Sequence, residues 1–293
     1  MVRRRPQALK GTEMTNEDAA ARSADGTAKS GAAKLDISVA HQARMYDYML
    51  GGKDNFAADR AAVEEWLKIN PKMVFSARAN RAFLGRAVRY LAGEAGIRQF
   101  LDIGTGIPTA SNTHQVAQGI APESRIVYVD YDPIVLTHAR ALLTSHPSGT
   151  TDFIDADLRD TGTILRRAAE SLDFTKPVAV TLLAILHVIP DADDPYAIVA
   201  TLMDAAPAGS YLAISHAGWD LRSRDTRKDE VRDLAQRMVR QQPAFRGREQ
   251  VARFFGGTDL VEPGLVRVEE WRPDLHTDDP GTSHLWCAVG RKR

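Results

Sequence analysis

The chain lacks several of the features that most quickly classify a protein. A single cysteine, Cys287, stands in 293 residues. That excludes an internal disulfide and any cysteine-built zinc cluster. No His/Asp/Glu group has metal-ligand spacing, so no metal is expected. Neither sign of charge is in excess: 38 basic residues face 38 acidic ones. Broad nucleic-acid binding normally leaves a basic surplus, so its absence argues against that class of partner. No apolar run approaches the roughly 18 residues of a membrane-spanning helix. Arg3, Arg4 and Arg5 are followed by no apolar stretch, so no secretory signal is expected, and the reading is of a cytoplasmic protein without a membrane partner.

What is present is enough for a core. Hydrophobic residues make up 44% of the chain and charged ones 26%, which fits an ordinary globular domain. Residues 1–35 depart from this. They are rich in Gly, Ala, Ser, Thr and charge and poor in large apolar side chains. Such a segment buries too little surface to offset its ordering entropy and is expected to be a disordered tail.

From residue 36 the pattern becomes helical. HQARMYDYML stops at Gly51-Gly52, a second helix fits Phe56 to Ile69, and a third runs from about Lys72 to Leu91. In the third, Phe83, Leu84, Ala87, Val88 and Leu91 share one face. Residues 36–95 therefore form a helical cover, and 96–293 an α/β core. Strands are expected at Arg98–Ile103, Arg125–Val129, Thr151–Ile154, Pro177–Ile185 and Ser210–Ser215. Helices fall between them at Thr109–Gln118, Pro133–Leu143, Thr163–Leu172 and Tyr196–Ala205. That alternation implies a parallel sheet covered on both faces. Helices at 225–242 and Gly247–Phe255 follow. Leu265–Trp271 and His284–Val289 then read as an antiparallel pair. Between Arg222 and Arg253 there are 10 basic and 5 acidic residues. That run reads as the solvated face of helices, with an anion-binding surface as the other option.

Three strand ends carry the chemistry. Phe100-Leu-Asp-Ile-Gly-Thr-Gly106 closes a strand and opens a helix, with Pro108 suited to its first turn. Gly104 and Gly106, flanking Thr105, allow a tight turn and close approach of a ligand. Thr109 stands where a dinucleotide fingerprint needs its third glycine, so the NAD motif fails. Asp102 just before the turn would repel a pyrophosphate and welcome a cation. Asp130, at the end of the second strand, suits a pair of ribose hydroxyls, and Tyr131 beside it suits a purine face. Asp155-Ala156-Asp157-Leu158 follows the third strand and offers an acceptor for an exocyclic amine beside an apolar wall. Each piece alone also reads as an ordinary turn or helix cap; their order and spacing together favour a ligand site.

This order resembles the class I S-adenosylmethionine-dependent methyltransferases. More narrowly, Arg44-Met-Tyr-Asp-Tyr-Met-Leu-Gly-Gly-Lys-Asp-Asn-Phe56 is similar to a bacterial S-adenosyl methyltransferase family once filed as a domain of unknown function. Asn80-Arg81, Leu186-His187-Val-Ile-Pro190, Pro263-Gly-Leu-Val266 and Trp271-Arg-Pro273 agree with it. The resemblance covers about residues 36–293. It implies a Rossmann-like, seven-stranded, mostly parallel sheet with an antiparallel last strand. It implies S-adenosyl-L-methionine as cofactor and methyl transfer; the acceptor is expected to be a small molecule. It also implies roles. Gly104, Thr105 and Gly106 face the methionine portion, with Asp102 near its ammonium. Asp130 takes the ribose. Ala156, Asp157 and Leu158 frame the adenine, and Leu183 to Leu186 line the methionine side. Tyr48, Lys53 and Asn55 are the candidates from the cover.

Methyl transfer is an in-line displacement and needs a base only if the acceptor must lose a proton. His187, past the fourth strand, is the first candidate and His216, past the fifth, the second. Both also read as hydrogen-bonded structural histidines. Trp219 and Tyr196 could wall a substrate pocket. Cys287 reads as a small buried apolar group. Because no base is certain, a cofactor-binding or regulatory protein without turnover remains the alternative.

Overall fold

The computed structural model describes residues 36–109, 111–142, 145–221, 244–274 and 282–293. The expected N-terminal tail and the expected helix at 225–242 lie outside these residues. The cover consists of α1 (Gln42–Met49), α2 (Ala57–Ile69) and α3 (Met73–Arg89), the last running on into a π-turn at Tyr90–Glu94. The core then alternates: β1 (Gln99–Ile103), α4 (Thr113–Ile120), β2 (Arg125–Asp130), α5 (Pro133–Leu142), β3 (Thr150–Asp155), α6 (Thr161–Ala168), β4 (Ala179–Leu183), α7 (Pro195–Asp204) and β5 (Tyr211–Ala217). A short helix, α8 (Arg248–Ala252), leads to β6 (Thr258–Leu260), β7 (Val266–Arg267) and β8 (Leu285–Lys292).

The described strands form one sheet in the order β3-β2-β1-β4-β5-β8-β6, with β7 also paired to β8. The first five are mutually parallel, and β8 runs antiparallel between β5 and β6. This is the Rossmann-like, mostly parallel architecture expected, with eight strands instead of seven. The extra one, β6, is a three-residue polar segment with no alternation for a sequence reader to see.

Strand periodicity sorts the core into two layers. Leu101, Ile103, Val127, Val129, Val180, Leu182 and Ile214 face α6, α7 and the 251–255 segment. Phe100, Ile126, Tyr128, Ala179 and Ala213 face the opposite way, onto α3, α4 and Trp271. Both faces are covered, which is why β1, β2 and β4 read as apolar runs. Cys287 is fully buried in the second layer.

Three expectations change in detail. The helix after the glycine turn starts at Thr113, not Thr109, so Pro108 is not its first turn. Ser111 takes a left-handed φ of 62°, and Gln115 Oε1 accepts from the Asn112 N–H at 2.8 Å, which resets the N-terminus there. β4 stops at Leu183 because Ala184 also turns left-handed, at φ 53°. The strand expected over Leu265–Trp271 shrinks to two residues. Arg86 donates to the carbonyls of Val268 and Trp271, and Trp271 packs edge-on against Phe83 at 5.5 Å. Those carbonyls go to a guanidinium instead of a ladder.

The cover is pinned by a buried carboxylate. Asp59, wholly buried on α2, accepts from the N–H of His41 and of Phe56, both at 2.8 Å. Its Oδ1 also lies 3.3 Å from Nε of the equally buried Arg44. Removing one member of such a pair strands the other charge. Asp59→Ala should therefore lower unfolding stability by about 3 kcal/mol in urea titration; a change below about 1 kcal/mol would show that the cover is not anchored there.

Candidate active site

The carboxyl ends of the parallel strands open into one cavity of about 240 Å³. Open α/β sheets bind their ligands at this edge. β1 contributes Asp102, Gly104, Thr105 and Gly106; β2 contributes Asp130 and Tyr131; β4 contributes Leu183, Ala184, Ile185 and His187. The cover closes the other side with α1, α3 and part of α2.

The glycine turn is shaped by two different needs. Gly104 has φ 76°, and a Cβ there would sit 2.6 Å from the Ile185 side chain. Gly106 has φ 66° and nothing within 4 Å of where its Cβ would be. The first glycine lets two chain segments touch; the second leaves an open backbone cradle. Asp130 holds that cradle in place. Its Oδ2 accepts from the Gly106 N–H at 2.8 Å, and its Oδ1 accepts from the N–H of Tyr131 and Asp132. A carboxylate offers about four lone-pair sites, so roughly one remains. Burial pushes the Asp130 carboxyl above its usual range, with the three backbone donors pulling the other way.

Asp102 is placed differently from a free ligand group. It is buried and borders the cavity, but its two oxygens accept from the hydroxyls of Thr113 and Thr181 at 2.6 and 2.7 Å. Burial raises its carboxyl, opposed by those two bonds and by the charge of Arg81. Arg81, on α3, lines the cavity and donates to Asn112 Oδ1 at 2.8 Å. Asp102, Asp130 and Arg81 are the Asp, Glu, Lys or Arg side chains in the cavity wall among the described residues.

A side pocket of about 30 Å³ adjoins the cavity, sharing Gly104, Asp130, Tyr131 and Ile185. Ala156, Asp157 and Leu158 line it. Asp157 is held by Arg159, whose Nη2 and Nε donate at 2.6 and 2.9 Å. Those bonds keep the Asp157 carboxyl below its usual range.

His187 reaches the cavity, and its Nε2 lies 2.8 Å from Gln42 Nε2 on α1. With the Gln42 amide in this orientation its NH₂ donates and the ring nitrogen accepts. His216 does not reach it. It is fully buried, with Nδ1 2.9 Å from the Ala217 carbonyl and Nε2 2.9 Å from Arg246 Nη1. Burial above all, with the charge of Arg246 adding to it, pushes its imidazole well below the usual range. It is a structural histidine. Arg246 is 1% exposed and also bonds Leu186 O, Ile189 O and Asp191, so this member of the basic run is a buried clamp and no solvated charge.

The cover candidates do not line the cavity. Asn55 donates to Asp47 and to the Gly52 carbonyl, closing the α1–α2 turn. Tyr48 directs its hydroxyl to Glu64 at 3.4 Å, and Lys53 is exposed. Trp219 is 43% exposed and Tyr196 stacks on Phe254. The residues that line it from the cover include Gln42, Tyr46, Asn70, Ser76, Asn80 and Arg81, together with Met45, Met49, Trp66 and Met73. Tyr46, Asn80 and Arg81 sit inside the motifs read from the sequence, but nothing there distinguishes a cavity-facing side chain from a packing one.

The chain belongs to the S-adenosyl methyltransferase family, whose model matches residues 28–293. Its cofactor is S-adenosyl-L-methionine. Two solved structures are closely similar. A DUF574 family protein from Streptomyces avermitilis MA-4680 is 44% identical, with a TM-score of 0.83 over 88% of this chain and 99% of that one. A candidate methyltransferase from Thermobifida fusca YX is 40% identical, with a TM-score of 0.79 over 88% and 97%. No curated protein matches the chain. The residues present suit this cofactor: an open backbone cradle at Gly106, a carboxylate at Asp130 and a cation at Arg81, in one cavity.

The raised Asp130 carboxyl sets a pH dependence. In the free protein this group favours folding at low pH, and the contribution is lost as pH rises through its folded-state pKa. A ligand that donates hydroxyls to the carboxylate favours the ionised form. Affinity for S-adenosylhomocysteine should therefore rise with pH through and above the usual carboxylate range and then level off. Calorimetry on the wild type and Asp130→Asn checks this. The variant should bind at least tenfold more weakly and lose the pH dependence; a pH-independent wild type would contradict the assignment.

Proposed function

We propose that this chain is an S-adenosylmethionine-dependent methyltransferase acting on a small-molecule acceptor in the cytoplasm. The observation that carries the reading is one continuous cavity. It runs from the Gly104–Gly106 cradle and Asp130 to His187, roofed by α1 and α3. A pocket closed in this way suits a small acceptor better than a macromolecule. With one Arg and no Lys in the described wall, it offers little to a nucleic-acid backbone. Among the described residues no helix is long and apolar enough to cross a membrane.

When bound, S-adenosyl-L-methionine supplies an electrophilic methyl group on a sulfonium, open to in-line displacement. The chain's own residues do the rest. Gly104, Thr105 and Gly106 bring backbone close to the methionine portion, and Arg81 holds its carboxylate. Asp102 fixes α4 and β4 through its two threonines and balances the Arg81 charge. Asp130 binds the ribose; engaging both hydroxyls displaces one backbone donor, and Gly106 is the donor that shares its oxygen with no other. Tyr131, Ala156, Leu158 and Asp157 frame the adenine in the side pocket, with Leu183 along the methionine side. Tyr48 and Asn55 hold the α1–α2 turn.

His187 Nε2 takes the proton from the acceptor once the acceptor replaces Gln42 there. A ring nitrogen that accepts from Gln42 has the lone pair a base needs. The cover excludes water and keeps the lone pair from being hydrated. If Gln42 never yields, the protein binds its cofactor without turnover, which is the second reading.

A screen of phenolic and amine acceptors with methyl-labelled donor tests the activity. His187→Ala should lower kcat by about a hundredfold or more while leaving S-adenosylhomocysteine affinity within about twofold. Tight cofactor binding with no transfer to any acceptor would support the second reading, and failure to bind millimolar cofactor would sink both.

A further inference from the structure

The cavity is longer than its cofactor half. Beyond Tyr46 and Asn80 it is lined by residues of α1, α2 and α3 and by Phe245. Met45, Met49, Trp66, Met73 and Phe245 pack together there as one cluster, which Phe245 joins to the second sheet layer. The three charged wall residues, Arg81, Asp102 and Asp130, all belong to the cofactor half. The far end therefore has a largely apolar wall, with Asn70, Ser76 and His284 as its polar members, and its three thioethers adapt to a flat ring and make favourable contacts with it.

One polar atom at this end is left over. Trp66 is 5% exposed and lines the cavity, and its indole Nε1–H is buried with no hydrogen-bond partner. A buried donor without an acceptor is costly, and native structures keep few of them. A ligand oxygen would satisfy it once the indole edge turns towards the cavity that Trp66 lines.

We propose that this far end, formed by Met45, Met49, Trp66, Met73 and Phe245, is the acceptor subsite, and that it takes an uncharged, flat, largely apolar molecule. Such a molecule carries a hydrogen-bond-accepting oxygen for Trp66 Nε1 at one end and the methyl-accepting heteroatom towards His187 at the other. This rests on the methyltransferase reading, because it takes the cofactor to fill the Gly104–Asp130 half. Phosphorylated or carboxylated acceptors are disfavoured by the same wall, which carries no Lys or Arg at this end among the described residues. In the transfer, the acceptor's lone pair forms the new bond to the methyl carbon and the carbon–sulfur bond breaks. Sulfur keeps that electron pair and becomes a neutral thioether, and the acceptor's proton passes to His187 Nε2.

The probe is a hydroxytetralone, a flat bicyclic ketone with a phenolic hydroxyl, titrated into protein saturated with S-adenosylhomocysteine. Naphthyl phosphate serves as the charged control. The hydroxytetralone should bind at least tenfold tighter than the phosphate. Trp66→Phe should weaken it about fivefold, the worth of one hydrogen bond, and Met49→Glu should abolish it. Both variants should keep wild-type affinity for S-adenosylhomocysteine, which shows that they are folded. Equal binding of the two probes, or no effect of both substitutions, would overturn the proposal and leave the cofactor reading standing. No binding of S-adenosylhomocysteine to the wild type would instead overturn the cofactor reading, and this subsite with it.

Discussion

Asn80 joins the cover to the sheet. Its amide donates to the Tyr46 hydroxyl on α1 at 2.9 Å, and its carbonyl accepts from the Ser215 hydroxyl on β5 at 2.6 Å. The Tyr46 hydroxyl donates to the Ala77 carbonyl, and Ser215 Oγ accepts from the Ala184 N–H, both at 2.9 Å. Four elements meet through two buried side chains and a tyrosine. The last link matters most for the site. Ala184 is a non-glycine residue in left-handed conformation, a strained state that persists only when its surroundings over-determine it. Its N–H is held twice, by the hydroxyl and the carbonyl of Ser215. The strained turn ends β4 early, brings Ile185 against Gly104 and leads the chain into His187. Each buried partner left unmatched in this relay would cost about 1–3 kcal/mol, so the cavity wall is held as a unit.

Charge in the cavity is arranged by burial more than by number. The exact overall balance of 38 against 38 says little about it. Two carboxyl groups and one guanidinium share a wall, and all three are shifted by desolvation: Asp102 and Asp130 upward, Arg81 downward. Asp132 shows the opposite outcome a residue or two away. Burial alone would raise it, but the His41 contact at 2.7 Å and the Ile134 N–H hold it below the usual carboxylate range. Asp132 is thus a fixed ionic anchor for the start of the cover, whereas Asp130 keeps a carboxylate whose ionised form gains from further donors.

The fold was legible because apolar runs and their spacing carry it. β1, β2, β4 and β5 are buried on both sides, and α2 and α3 show one apolar face, so their existence and order follow from the sequence. β6 was not, since it is too short to alternate, and β7 was legible in place and pairing but not in length, because Arg86 diverts the carbonyls that would have extended it. The site was legible where backbone chemistry dictates it: the glycines, Asp130 and the turn after β3 all border the cavity or its side pocket. It was not legible where direction decides. His187 and His216 look alike in sequence, each following a strand, yet one faces the cavity and the other lies beneath Arg246. Tyr48 and Tyr46 are two residues apart on α1, and a helix turns them to different faces. The far end of the cavity comes from residues that read as core, because a methionine against a ring and a methionine against open space have the same sequence signature.

The central claim is that one cavity is divided, with the cofactor at the Gly104–Asp130 half and the apolar half left for an acceptor. A crystal structure of the complex with S-adenosylhomocysteine tests it most directly. The account predicts ribose hydroxyls on Asp130, the amino-acid carboxylate at Arg81, the sulfur facing His187, and no part of the ligand between Met45 and Trp66. Density for the adenosyl group among Met45, Trp66 and Met73, or a ligand bound outside the cavity, would contradict it.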